Sequence, residues 1–318
     1  MSQLLDLVQY QPDDVRESMF LEIGYRPKQL ELDVLHLKEW LKTQEHLPPS
    51  KLKENDFFLK IFLMGCKGSM ATAKRKLDCY YSYRGRSEIY RNRDVLNVDY
   101  RNSCDKTYAV ILPQITATGD YIIISKLMSS VPNEYDQLNN AKRIVNLLEM
   151  GMRLRDLNAP AYVITDWQNF TAAHSLTFSP GLTKDTLILL QDIFPSRIKM
   201  IIMMNVHPAL EMMVNTLIKP FLTKKVRERT VVTSEGSEVL QKYIDKSILP
   251  KDYGGDGKTL KEYNDLWNEY EKSLKDWFLN ELSEETDESK RIDVGGGHIL
   301  DHDSYFGVQG TLKKLAID

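Results

Sequence analysis

Four short runs rich in β-branched and aliphatic residues, TYAVILPQI (107–115), YIIISKL (121–127), AYVITDW (161–167) and IKMIIMMN (198–205), alternate with longer helical stretches such as EYDQLNNAKRIVNLLEMGMRLRDL and TKDTLILLQDIF. Strands joined by helices have room for crossovers, so this alternation predicts an α/β domain with a mainly parallel sheet. Ile198 to Met204 is apolar almost without alternation, as expected of a strand covered on both faces. Upstream, residues 13–86 read as helix throughout. Leu30, Val34, Leu37 and Leu41 form one stripe, LPPS breaks it, and two shorter helices follow, capped by Asn55 or Asp56 and by Ser69. The expected organisation is an N-terminal helical domain (1–86), the sheet domain (87–257), a C-terminal helix (258–282) and an acidic linker and tail (283–318). The C-terminal helix carries an apolar stripe of Leu260, Tyr263, Leu266, Trp267, Tyr270, Leu274 and Trp277.

The 318 residues are 42% hydrophobic, enough for a large core, and the net charge of -3 gives no field that would hold a nucleic-acid backbone. Any attraction to anions must be local. Cys66, Cys79 and Cys104 are odd in number and show no paired spacing, which favours a reducing compartment. The first residues lack a basic segment followed by an apolar one, and no run is long enough to span a bilayer. A cytoplasmic protein is expected.

Motifs for catalysis do not survive inspection. GGDGKT (254–259) ends like a phosphate loop, but Asp252 stands where the first glycine belongs and no buried strand precedes it. His298, Asp301, His302 and Asp303 lie close together without a rigid element to fix a metal's ligands. His174 and His207 read as packed or capping residues, since no nucleophile signature accompanies them. The residues predict a binding protein with no enzymatic activity, no cofactor and no metal.

The segment after Pro208 is more informative. Leu210, Met213, Val214, Leu217, Ile218 and Phe221 recur at helical spacing, and Met200, Met203, Met204, Met212 and Met213 add thioethers suited to a variable apolar guest. Directly behind come Lys224, Lys225, Arg227 and Arg229. If TKKVRER is helical, Lys225 and Arg229 share a face; Arg197 and Lys199, two apart at the start of a strand, share a side. A solvated helix face would account for such a run. Beside a mobile amphipathic helix, the same residues make a docking site for an anionic membrane surface.

FPSRIKMIIMMN, then IKPFLTKKVRER, then ILPKDYGGDG, in that order and spacing, resemble the CRAL-TRIO lipid-transfer family, in the branch of the α-tocopherol transfer protein and the retinaldehyde-binding protein. FFLKIFLMGCKGSMATAKRKLDCYYSYR is similar to the helical domain that precedes the lipid-binding domain there, and the tail SYFGVQGTLKKLAID to tails of insect members. The resemblance implies a deep apolar pocket under a sheet, with residues 208–222 as a movable lid. It implies a phosphoinositide-binding cleft of Arg197, Lys199, Lys225 and Arg229, and a pocket lined by Leu190, Phe194, Ile201 and Leu222, with Leu210, Met213, Leu217 and Ile218 from the lid. The implied function is binding and intermembrane transfer of a small hydrophobic molecule, such as a tocopherol, retinoid or carotenoid, with transient attachment to membranes containing phosphatidylinositol bisphosphate. Phospholipid exchange and phosphoinositide-reading adaptor functions are the alternatives. The chain departs from the family where Asp-x-x-Gly is usual: DWQN puts Asn169 there.

Overall fold

The computed structural model describes residues 7–155, 158–280 and 285–291. Among the described residues five α-helices precede the sheet: α1 (Asp13–Glu22), α2 (Pro27–Lys42), α3 (Asp56–Gly65), α4 (Met70–Ser82) and α5 (Val98–Lys106). The Asn55 side chain caps α3 and that of Ser69 caps α4, each accepting from a backbone N–H three residues on. Phe58, Leu59, Ile61, Phe62, Leu63 and Met64 are all buried, so α3 is covered on nearly every side. Its Phe58 and Phe62 rings meet Tyr80 of α4 with centroids 5.5 and 5.6 Å apart, and Tyr80 in turn meets Phe194, 6.0 Å away in the sheet domain. Lys76 Nζ reinforces the junction by donating to the Gln191 and Phe194 carbonyls at 2.9 and 2.6 Å.

The sheet contains β1 (Thr107–Ile111), β2 (Tyr121–Leu127), β3 (Ala161–Asp166), β4 (Ile198–Met204) and β5 (Thr230–Val232), in spatial order β1-β2-β3-β4-β5. β1 is antiparallel to β2 and the other pairings are parallel. The four apolar runs thus become β1 to β4 of a mainly parallel sheet. β5, three residues behind the cationic run, is too short to show a period. The crossovers are α6 (Gln137–Leu154), then α7 (Pro180–Ile188) continued by a π-turn over Leu189–Ile193, then α8 (Pro208–Met213), a second π-turn over Val214–Ile218, and α9 (Lys224–Glu228). α10 (Leu260–Ser273), opened by a Thr259–Glu262 capping box, and α11 (Lys275–Asn280) divide the expected C-terminal helix near Leu274.

α6 has two working faces. Asn140, Ile144, Leu148 and Met152, four apart, form a stripe toward the sheet, while Arg143, Asn146 and Glu149, three apart, form another that is fully buried. The polar stripe ties three parts of the chain together. Glu149 accepts from Tyr80 Oη at 2.9 Å and pairs with Arg93. Glu271 of α10 accepts from Arg143 at 2.7 Å, Tyr100 Oη at 2.6 Å and Arg101, and Asn146 donates to it at 2.9 Å. Burial alone would raise the Glu271 carboxyl; Arg143, Arg101 and Tyr100 reverse this and hold it below the usual glutamate value.

The glycines of the decoy phosphate loop serve chain packing. A Cβ on Gly255 would lie 2.0 Å from the Leu249 carbonyl oxygen, and Gly254 has φ +75°. His298, Asp301, His302 and Asp303 fall outside the described residues.

Candidate functional site

Alternate residues of a strand share a face. Tyr121, Ile123 and Ser125 of β2 stand in register with Ala161, Val163 and Thr165 of β3, and together with Leu127 they floor a cavity of about 270 Å³. The opposite wall is the chamber-facing stripe of α6, and a third side is supplied by Leu187, Leu190 and Gln191 of α7 and its π-turn and by Phe194 just after it. Small-molecule sites usually begin near about 300 Å³, so the space suits one slender hydrophobic molecule. The middle of the chamber is aliphatic. Polar groups gather at its ends: Tyr135, Asn140, Asp166 and Trp167 where β2 and β3 finish, and Arg155, Asn158 and Arg197 where those strands begin.

Of the expected pocket residues, the structure places Leu190, Phe194, Ile201 and Leu222 on the chamber wall. Leu210, Met213, Leu217 and Ile218 are not among the lining residues. Leu210 is buried in a second, smaller core with Leu127, Tyr135, Phe170, Met203, Val206 and Val214, against which Met213 and Ile218 pack. Leu127, Tyr135, Trp167 and Ile201 belong to both that core and the chamber wall, so the 208–218 segment backs one end of the chamber rather than entering it. The segment expected over 208–222 ends at Leu222, whose backbone is extended, and α9 starts afresh under a Thr223 cap.

Arg197, Lys199, Lys225 and Arg229, from β4, α9 and the residues that flank them, converge on a second cavity of about 290 Å³. Lys225 and Arg229 share a side, as helical spacing requires; Lys224 is outside the lining and reaches Glu228, and Arg227 donates to the Leu222 carbonyl. Sequence reasoning missed two further residues of this cleft. Lys67, in the left-handed conformation at φ 54° between α3 and α4, adds a fifth cation. Glu22, at the end of α1, occupies the cleft and binds Arg197 Nη2 at 2.9 Å. Lys199 pairs with Asp120 at 3.3 Å. Partial desolvation, then the nearby Lys67, Arg229 and Arg197, lower the pKa of Lys225, as expected of unneutralised positive charge.

Chamber and cleft are neighbours. Leu190, Gln191, Ser196, Arg197, Ile198 and Val226 line both. Gln191 fastens this shared wall to the end of the 208–222 segment, donating to the Phe221 carbonyl at 3.2 Å and accepting from Thr223 N at 3.1 Å. It sits in one of the two π-turns, irregularities that often mark functional positions.

The histidines act locally. His174 Nδ1 accepts from Thr171 N, and His207 Nδ1 accepts from Ala209 N at the start of α8. Cys66, Cys79 and Cys104 are free and buried. Asn169 donates to the Leu127 and Met128 carbonyls, fixing the end of β2. Among the described residues no helix is long and apolar enough to cross a membrane, and no group of His, Cys, Asp or Glu is placed to hold a metal.

Fold and site together define an α/β domain with a helical N-terminal region and an apolar chamber next to a cationic cleft. Residues 105–255 match the CRAL/TRIO domain and residues 26–100 a Pinta-like UBA domain. Over its sheet domain the chain is therefore similar to CRAL-TRIO proteins. It is similar to the human alpha-tocopherol transfer protein-like protein, 26% identical over 270 residues (82% of this chain, 75% of the relative), and to human clavesin-2, 24% identical over 241 residues (75% and 73%). The crystal structure of Sfh5 aligns over 81% of this chain and 93% of that one, with 14% identity and a TM-score of 0.45.

Proposed function

We propose that the protein carries one small hydrophobic molecule of tocopherol, retinoid or carotenoid type between membranes, and that a phosphoinositide headgroup in the cationic cleft favours its release. Arg197, Lys199, Lys225 and Arg229, with Lys67, would hold the headgroup phosphates; Leu190, Phe194, Ile201 and Leu222 would contact the cargo. The observation that carries this reading is the wall the two cavities have in common, through Gln191, Arg197 and Val226.

Burying a tail of fifteen carbons is favourable by about 12 kcal/mol at ~0.8 kcal/mol per CH₂, in a bilayer or in a dry protein. Exchange between the two is therefore near balance, while escape through water is prohibitive. A carrier must open on the membrane. Displacing the 208–218 segment would unseat Leu210 and Val214 and remove the backing of one chamber end. The exposed apolar side chains of Met212 and Leu176, on elements that pack together, offer a first contact with lipid.

The test is transfer of a fluorescent tocopherol analogue between vesicles. We expect transfer to scale with protein concentration and to accelerate when acceptors contain phosphatidylinositol bisphosphate. Transfer no faster than spontaneous exchange would refute the carrier reading; equal rates to neutral and phosphoinositide acceptors would refute the coupling.

A further inference from the structure

The buried arginines of this chain come with carboxylates. Arg84 and Arg93 face Glu149, Arg101 and Arg143 face Glu271, and Arg197 meets Glu22. Arg155, half-buried as a whole, is different. It follows the last turn of α6, continues that helix's chamber-facing stripe three residues beyond Met152, and lines the chamber itself. Its guanidinium lies 3.4 Å over the ring of Tyr121, the first residue of β2, and its buried Nε has no hydrogen-bond partner. No carboxylate among the described residues forms an ion pair with it. Burial pushes its pKa down, offset in part by Tyr121, whereas the carboxylate-paired Arg101 and Arg143 are pushed up despite burial.

An unpaired cation on the wall of an apolar cavity is costly unless an anion joins it. A guanidinium stacked on an aromatic ring is held in one plane, with its edge free to meet a planar two-oxygen partner. The stripe from Asn140 to Arg155 is about 22 Å long at 1.5 Å per residue, so a group held at Arg155 leaves the aliphatic length of the chamber for a tail.

We propose that the cargo is a single-chain lipid ending in a carboxylate, which Arg155 receives at the end of the chamber where β2 and β3 begin. This rests on the carrier reading but puts an acidic single-chain lipid in place of a neutral tocopherol or carotenoid: the tail supplies burial, and the carboxylate supplies a counter-charge that no described residue provides.

The experiment compares hexadecanoic acid, its methyl ester and hexadecanol as displacers of a neutral fluorescent hydrophobe from the delipidated full chain. One charge-assisted hydrogen bond predicts the acid to bind about tenfold or more tighter than the ester or alcohol. In Arg155→Met the acid should fall to the level of the ester, and the unliganded variant should be at least as heat-stable as the native chain. Equal affinity for acid and ester in the native protein overturns the proposal, as does a preference for the acid that survives Arg155→Met. The native comparison stands even if the variant fails to fold. If none of the three displaces the probe, the chamber does not take a single-chain lipid and this proposal falls, while the carrier reading is decided separately by the vesicle transfer assay.

Discussion

Replacing Glu271 by alanine should cost about 3–5 kcal/mol of folding stability, the expected penalty for stranding the charge of a broken buried ion pair. That is a large share of a typical total of about 5–15 kcal/mol. Glu271 is fully buried and serves Arg143, Arg101, Tyr100 and Asn146, so its loss leaves two guanidiniums without their carboxylate at the joint of α5, α6 and α10. Because the folded carboxyl titrates below the ordinary value of 4.5, its contribution is intact above that pH and disappears as pH falls through the lower, folded value. Urea denaturation of both chains at pH 7 and at decreasing acidic pH would read this. The gap between them should be full at pH 7 and shrink below the ordinary carboxylate range; a gap under about 1 kcal/mol at pH 7 would show the network to be dispensable.

The second large effect concerns the cleft. Changing Arg197, Lys199, Lys225 and Arg229 together to glutamine should lower partition onto phosphoinositide vesicles by on the order of a thousandfold, at about 1 kcal/mol per charge near an anionic surface. The difference should narrow as salt rises. Glu22→Gln should act in the opposite sense, because it frees Arg197 Nη2 from the carboxylate that now holds it. Vesicle sedimentation at two ionic strengths, alongside the transfer assay, measures both. If the fourfold variant bound and transferred like the native chain, the cleft would have no part in membrane recognition.

The chamber's framework was largely legible in the sequence because buried parallel strands are continuous apolar runs and helices carry a 3.6-residue period. β1 to β4 and the caps at Asn55 and Ser69 could be placed on those grounds. The cationic positions at 197, 199, 225 and 229 stood out as local clusters. What stayed hidden depends on distant parts of the chain meeting. Lys67 reads as a turn residue between Cys66 and Gly68, and Glu22 as an ordinary helix end; only the packing of α1 and α3 on the sheet domain brings them beside Arg197. Arg155 resembles the cations that commonly follow a helix, where they favour the dipole, and nothing local distinguishes it from Arg153, which stacks on Trp277. The division of labour on α6 was also obscured, since its buried polar stripe at 143, 146 and 149 has the spacing of a solvated face. The apolar period after Pro208 was real, but a five-residue π-turn and a break at Leu222 change which neighbours those side chains reach.

The central claim is that a dry chamber between the sheet and α6 holds a lipid. Organic extraction of the purified full chain followed by mass spectrometry tests it most directly. The account predicts one hydrophobic molecule per chain, single-chained and acidic if Arg155 plays the part assigned to it, and its loss when Val163→Trp fills the chamber floor. An extract without lipid, from a native chain that also takes up no added hydrophobe, would contradict it.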